Sequence, residues 1–114
     1  MRLGNTITNP GELRTQIELE ERAYQNDSGG FPQITVGEKK TVWCRWINLH
    51  GSEVWQADAA GAGKAATVLL RYLPDLNETW HVHYRGETWE IRSIDNIQER
   101  DEYLELKVSR IGAG

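Results

Sequence analysis

The sequence predicts an all-β fold: a small antiparallel β-barrel or sandwich of about six strands, with one short helix and long flexible loops. Three observations predict it. Apolar and polar residues alternate in short runs, as in a half-buried strand. Clusters of glycine, proline, asparagine and aspartate separate these runs. The chain has 114 residues, enough for one hydrophobic core.

The composition is that of a soluble globular protein. Hydrophobic residues make up 39% and charged residues 26% of the chain, and the mean hydropathy is −0.62. The net charge of −4 does not fit a protein that wraps DNA with a basic surface. No apolar run approaches the roughly 18 residues that cross a membrane, and none follows Met1 as a secretion signal would. Cys44 is the one cysteine, which excludes an internal disulfide and fits a reducing compartment.

Residues 1–13 are predicted to form an N-terminal arm, and residues 14–111 a single β-barrel domain. The arm has two glycines, one proline and little periodicity, with a short turn near its end. The first strand begins at Arg14 and places Ile17 and Leu19 on one face, with charged residues on the other.

Residues 25–40 are predicted to be a flexible loop. A dense turn signal opens the segment, and Pro32 and Gly37 argue against a continuous central strand. The following strand, residues 41–49, has apolar side chains on both faces. We therefore expect both faces to be covered, by the fold or by a partner, with Trp43 as a candidate interface residue.

Residues 50–66 form the second predicted flexible loop. Ser52 is a suitable N-cap for a short helix through Ala60, before three residues rich in glycine. Trp55 lies in this weakly periodic segment beside small residues. It is predicted to be either a lid on the barrel or an anchor in an interface.

The remainder is predicted to be a β-meander of alternating strands joined by tight turns. Ile94 breaks the alternation, which predicts a bulge. The predicted strands cover residues 67–73, 79–84, 88–94 and 103–111, with a hairpin turn at 85–87.

The chemistry-bearing residues do not predict an enzyme, a metal site or a cofactor. His81 and His83 share one face of a strand, but no third ligand follows at a typical spacing. The glycine-rich segment before Lys64 resembles a phosphate loop, yet Ala65 stands where that motif needs serine or threonine. Cys44 lies within a strand pattern and fits a small buried side chain. A binding or assembly module is the better interpretation.

Several segments, in this order, resemble the small head closure (head–tail joining) proteins of long-tailed bacteriophages and prophages. Together they span about residues 11–111, most of the chain. The segments are GELRTQIEL at 11–19, DSGG at 27–30, TVWCRWI at 41–47, HGSEVWQA at 50–57, VLLRY at 68–72 and YRGETWEI at 84–91, followed by a polar turn and the terminal strand with LEL at 104–106.

The resemblance implies a structural role in the virion. Such proteins form a ring, typically of about twelve copies, beneath the portal protein of a DNA-filled head. The ring extends the DNA channel and offers a surface to the tail or to a tail-completion protein. Packaged double-stranded DNA would pass through the lumen without sequence-specific binding. We expect the chain to be a monomer in isolation, to assemble in the bacterial cytoplasm and to have no membrane contact.

By position, the resemblance assigns the channel-gating role to the segment 50–66. Its charged residues are two carboxylates and one lysine. A channel lined by this segment would not bind DNA phosphates tightly. The candidate channel residues are His50, Glu53, Trp55, Asp58 and Lys64. The candidate interface residues are Trp43, Trp55 and Arg14.

Other functions stay open on the sequence alone. One is a tail-completion protein of the same connector. Another is a small β-barrel that binds single-stranded nucleic acid, with a local basic patch at Arg71, Arg85 and Arg92. A third, in a different class, is a metal-dependent enzyme at His81 and His83.

Overall fold

A computed structural model describes residues 10–26, 28–49 and 64–111. Within these ranges the chain is almost entirely antiparallel β-structure, which confirms the predicted all-β class. Two short 3₁₀ turns lie at Pro10–Glu12 and Ile97–Glu99. The strands are β1 (Thr15–Asn26), β2 (Pro32–Asn48), β3 (Ala65–Arg71), β4 (His81–Tyr84), β5 (Glu87–Asn96) and β6 (Tyr103–Arg110).

The sheet closes on itself because β1 pairs with strands on both of its sides. The order is β1-β2-β3-β6-β5-β4, and β4 returns to β1. This closing seam is short, so the barrel is closed over only a quarter or so of the length of β1. The seam consists of the pairs Glu18↔His83, Leu19↔Val82 and Glu20↔His81.

The core fills the barrel with the inward-facing residues of every strand, as the predicted alternation requires. Trp46 stacks on Tyr84 with ring centroids 4.0 Å apart and meets Trp89 edge-on at 4.9 Å. Trp80 and Trp89 are both buried. The central core residues include Ile17, Leu19, Cys44, Val68, Leu70, Val82, Ile91, Leu104, Leu106 and Val108.

The predicted hairpin turn and bulge are both present. Arg85 and Gly86 have φ angles of 52° and 77°, the left-handed backbone that tight hairpins require and that glycine adopts without strain. The register of β5 against β6 shifts between Ile91 and Ser93. The bulge therefore comes just before the position predicted from Ile94.

The loop predicted over residues 25–40 is wrong for most of its length. β1 continues to Asn26 and β2 begins at Pro32, so only a short turn separates them. Pro32 is the first residue of its strand, a position at which proline is tolerated. At Gly37, a Cβ atom would lie 3.1 Å from Cδ of Glu21, so glycine leaves room for the Glu21 side chain at a register shift between the strands.

The corrected strands extend beyond the barrel as a two-stranded ribbon. We define the ribbon as residues 21–26 of β1 and 32–38 of β2. Pairing of β1 with β4 ends at Glu20, and pairing of β2 with β3 begins only at Cys44. The ribbon is therefore held by β1–β2 pairing alone.

One further expectation changes at its boundary. The predicted loop 50–66 ends earlier, because its last two residues already belong to β3. The predicted helix at 52–60 lies outside the described residues. The turn expected near the end of the arm is confirmed as the 3₁₀ turn Pro10–Glu12. No helix in the described part of the chain is long and apolar enough to cross a membrane.

The barrel and the ribbon should respond very differently to truncation of an apolar side chain. Leu106 is fully buried in the barrel, whereas Ile34 in the ribbon is 51% exposed. We expect Leu106→Ala to lower the free energy of unfolding by about 2–5 kcal/mol, because it leaves a cavity. Ile34→Ala should cost less than about 1 kcal/mol. Urea denaturation measures both, and equal losses would contradict the division into core and ribbon.

Candidate interaction surfaces

One face of the ribbon is apolar and uncovered. The register pairs Tyr24 with Ile34 and Arg22 with Val36, which places these side chains on the same face. Tyr24 is 59% exposed, and Ile34 and Val36 are each 51% exposed. Phe31, in the turn at the tip, is exposed as well. A contiguous apolar face of this kind, outside the core, is typical of a surface that binds a partner.

The sequence analysis missed this surface because it interpreted the segment as a loop. The alternating Ile34, Thr35 and Val36 were the available signal for a strand with one apolar face. Pro32 and Gly37 on either side of that short run obscured it.

A second surface surrounds Trp43 near the start of β1. The indole is 54% exposed and shares a cleft with Leu13, Arg14 and Arg71. The cleft forms because Gln16, two residues after Arg14, pairs with Trp43 across the sheet. The structure thus brings together two predicted interface residues, Trp43 and Arg14.

Two guanidinium groups flank this exposed indole. Arg14 donates from Nε to the carbonyl oxygen of Gly11 at 2.8 Å. Neither Arg14 nor Arg71 forms an ion pair with any residue that the structure describes. An exposed aromatic ring between uncompensated arginines suits a partner that offers apolar and acidic groups.

The outer face of β2 is only partly covered by the described residues, so the cover expected there from a partner stays a prediction. Cys44 on the inner face is fully buried, but Ile47 on the outer face is 40% exposed. Near the barrel end of this face, Arg45 Nη1 donates to Glu12 Oε1 at 2.9 Å, which fixes the N-terminal turn against β2. Any further cover must come from outside the described residues.

A buried carboxylate lies where the barrel ends and the ribbon begins. Glu20 Oε1 accepts a hydrogen bond from Arg22 Nε at 3.1 Å and lies 3.2 Å from His83 Nε2. Burial alone would raise the pKa of Glu20, but these two hydrogen bonds and the charges behind them lower it below its ordinary 4.5. The Thr79 hydroxyl donates to the carbonyl oxygen of Arg22 at 2.6 Å and fixes the strand just beyond the seam.

His81 lies beside this cluster and favours its neutral form. Burial, and then the positive charge of Arg22, lower the pKa of His81 below its ordinary 6.5. Its Nδ1 is buried, and no residue in the described ranges offers it a hydrogen bond. A proton on this ring would therefore be taken up at a cost to the folded state.

The two histidines share a face, as predicted, but their surroundings do not favour metal binding. His83 has one ring nitrogen 3.2 Å from Glu20 and the other 3.3 Å from the Thr88 hydroxyl. In the described ranges, no group of three histidine, cysteine, aspartate or glutamate side chains is arranged to hold a metal ion. Burial raises the pKa of the Cys44 thiol to about 12, so this thiol is not a nucleophile at neutral pH.

Lys64 is the one predicted channel residue that the structure describes. Its Nζ lies 3.5 Å from Glu87 Oε2, and the same oxygen accepts a hydrogen bond from Arg110 Nη1 at 2.7 Å. The hydrogen bond from Arg110 lowers the pKa of Glu87. Lys64 thus lies just before β3 and shares one carboxylate with Arg110 at the barrel end. The other channel residues, His50, Glu53, Trp55 and Asp58, lie outside the described residues.

The basic patch considered for nucleic-acid binding is not formed. Arg71 ends β3, whereas Arg85 lines a cleft with Lys64 at the opposite end of that strand. Arg92 is paired with Glu90 at 3.1 Å. The three arginines therefore do not present one surface to a phosphate backbone.

The described residues form a small closed barrel with two uncovered apolar surfaces. The model of the phage head completion protein family matches residues 8–111. The chain therefore belongs to the phage head completion protein family. Its role is structural, in the completion of the phage head, and it associates with other components of the virion.

Two solved structures share the fold. One is the solution structure of protein SF1141 from Shigella flexneri 2a, with a TM-score of 0.65 and 20% identity; the match covers 94% of this chain and 100% of that one. The other is a chain of the virion of a native gene transfer agent particle, with a TM-score of 0.62 and 15% identity over 89% and 97% of the two chains. No curated protein matches this sequence. The family expected from the sequence motifs is confirmed.

The cluster at the seam predicts how stability depends on pH. Just below pH 6.5, His81 is protonated in the unfolded chain but stays neutral in the folded chain, where its pKa is lowered. The free energy of unfolding should therefore fall as the pH decreases. Below pH 4.5 the unfolded chain protonates Glu20 first, and the stability from its hydrogen bonds should be lost as the pH falls through its lowered folded pKa.

Two variants separate these contributions. In His81→Gln, the free energy of unfolding should change less with pH just below pH 6.5. In Glu20→Gln, the free energy of unfolding should be lower at neutral pH and should change less with pH below pH 4.5. Urea denaturation from about pH 8 to about pH 3 measures both. Unchanged slopes in the variants would show that these groups do not titrate in the way their surroundings predict.

Proposed function

We propose that this protein is a head closure adaptor. Copies of the chain form a ring beneath the portal protein, extend the DNA channel and present the surface to which the tail or a tail-completion protein attaches. The observation that carries the proposal is the pair of uncovered surfaces, the ribbon face and the Trp43 cleft, on a barrel of the head completion family.

The two surfaces meet the requirement of a closed ring. Identical copies related by rotation make heterologous contacts, so each copy needs two different surfaces. The ribbon face carries Tyr24 and Ile34, and the cleft carries Trp43 and Arg14. Eight residues of β1 separate Tyr24 from Gln16, the partner of Trp43, a distance of roughly 26 Å at about 3.3 Å per residue.

Both surfaces are small, which supports a monomer in isolation and a ring only in the connector. A stable interface buries about 800 Å² on each partner, more than three or four half-exposed side chains provide. The portal would therefore supply the template on which about twelve copies associate. Assembly would take place in the bacterial cytoplasm, before the particle leaves the cell.

The proposed lumen lets double-stranded DNA pass without sequence-specific contact. The chain is acidic overall, and the segment assigned to the channel has Glu53 and Asp58 against Lys64. Lys64 lies 3.5 Å from Glu87, a carboxylate that it shares with Arg110. Such a lining would not bind phosphates in the salt-dependent way that unpaired lysines and arginines do.

Electron microscopy of lysates from a phage or prophage that lacks this gene tests the adaptor role. We expect separate heads and free tails, with many heads emptied of DNA, because the channel is neither closed nor joined to a tail. The intact gene supplied in trans is the control and should restore tailed particles.

Two other results would change the proposal. DNA-filled heads that stay sealed but lack tails would assign the chain to tail completion. Fully tailed, infectious particles would contradict an adaptor role of either kind.

Charge reversal in the channel segment tests its lining. Glu53→Lys combined with Asp58→Lys should slow DNA passage, because two added cations would bind phosphates at the narrowest part of the connector. The matched control, Glu99→Lys with Glu102→Lys, makes the same change of charge on an exposed turn of the barrel. DNA ejection from purified particles is measured for both, and normal ejection in the first variant would refute the channel assignment.

A further inference from the structure

We propose that the ribbon face of each copy lies in the Trp43 cleft of the next copy around the ring. The partner is therefore a second copy of this chain, and Tyr24 and Ile34 of one copy meet Trp43 of its neighbour. The proposal rests on the ring of the proposed function and names the contact that holds it together.

The cleft combines an exposed indole with two guanidinium groups, and no carboxylate among the described residues lines it. Its lining residues are Leu13, Arg14, Trp43 and Arg71. Arg45, on the same face of β2, is paired with Glu12 at 2.9 Å. Guanidinium groups stack on aromatic rings while their outer N–H groups stay in water. The cleft therefore fits a surface that offers aromatic and aliphatic side chains.

The ribbon face offers side chains of this kind. Tyr24 is 59% exposed, and Phe31 at the tip is 69% exposed. Ile34 is the cross-strand partner of Tyr24 and is exposed beside it. Arg22, the charged residue on this face, is paired with Glu20 at 3.1 Å. Rings and an aliphatic group on one surface thus meet an indole between guanidinium groups on the other.

The separation of the two surfaces matches the spacing of neighbouring barrels. Gln16, the partner of Trp43, precedes Tyr24 by eight residues along β1, which is roughly 26 Å at about 3.3 Å per residue. The two short dimensions of the molecule are 30 Å and 24 Å. A copy shifted by one barrel width along the direction of β1 therefore places its own cleft beside the ribbon of the copy before it.

The twist of the ribbon turns its face toward that neighbour. Gln16 and Tyr24 are an even number of residues apart, so their side chains would point to the same side of a flat strand. Neighbouring strands about 4.8 Å apart differ in direction by about 20–25°, and the sheet normal turns at the same rate along a strand.

Over roughly 26 Å this rotation amounts to roughly 110–140°. The register shift between Glu20 and Arg22 adds to it, because a bulge increases the local twist. The ribbon face is therefore turned most of the way from the direction of the cleft. Two contact surfaces that face nearly opposite ways are what a closed ring of identical copies requires.

Paired cysteines test the contact in particles assembled from a phage or prophage that lacks this gene and carries the variant. Gln16→Cys with Ile34→Cys places one thiol beside Trp43 and one on the ribbon face. Both positions are exposed, and the native Cys44 is fully buried. Mild oxidation should join each copy to the next. On a denaturing gel the monomer band should fall at least about threefold, with a ladder of multimers in its place.

A second pair keeps the test independent of one design. Arg71→Cys with Val36→Cys spans the same contact and should give the same ladder. Thermal unfolding of each purified variant confirms that it folds.

Three controls identify the contact. Gln16→Cys alone and Ile34→Cys alone should stay monomeric on the gel, because a heterologous contact does not bring two copies of one surface together. The two single variants expressed together should give dimers and no larger multimers. Ile34→Cys with Ser93→Cys should give no ladder, because Ser93 is exposed on β5, three places from β2 in the closed sheet.

The failing outcomes are separate for this contact and for the ring itself. Particles in which neither cysteine pair gives multimers would overturn the contact. Dimers from Ile34→Cys alone would show that ribbons meet each other, and a cross-link to a different virion protein would assign the surface to that protein. Either result would also overturn it. In each case the head closure role would survive, because that role fails only if particles lacking the gene are complete.

Discussion

The rest of the structure depends on β1, which is shared between two neighbours. Its first half is enclosed between β2 and β4 and carries Ile17 and Leu19 into the core. β1 has 12 residues and β2 has 17, whereas β3 has 7 and β4 has 4. The barrel cannot enclose the excess length of the two long strands, so the closure of the sheet itself creates the ribbon.

The cluster around Glu20 marks the point of division. On one side of it the side chains are packed and the sheet has neighbours at both edges. On the other side, β1 and β2 pair only with each other among the described residues. The hydrogen bonds of Glu20 with Arg22 and His83 stabilise β1 at the last position where β4 can hold it. This arrangement joins a rigid barrel, suited to a fixed position in a ring, to a projecting element suited to contact.

The alternation of apolar residues was enough to predict the barrel. It identified the alternating strands β4, β5 and β6 and the hairpin at Arg85 and Gly86. The ribbon was missed for a physical reason. A strand with no buried face gives a weak periodic signal, and Pro32 and Gly37 are typical of loops unless the partner strand is known.

The candidate surfaces were predicted in part. Trp43 was identified because an apolar outer face needs cover, and the structure places Arg14, which was also predicted, and Arg71 beside it. The Glu20 cluster was not predictable, since its members His83 and Glu20 lie 63 residues apart in the sequence. Charges on a strand face resemble a solvated surface until the register shows which of them meet.

Cryo-electron microscopy of the intact particle, focused on the junction of head and tail, tests the central claim most directly. The head closure role predicts a closed ring of this chain directly beneath the portal, with the barrels side by side. Density for the chain as isolated copies, or at a site away from the portal, would contradict it.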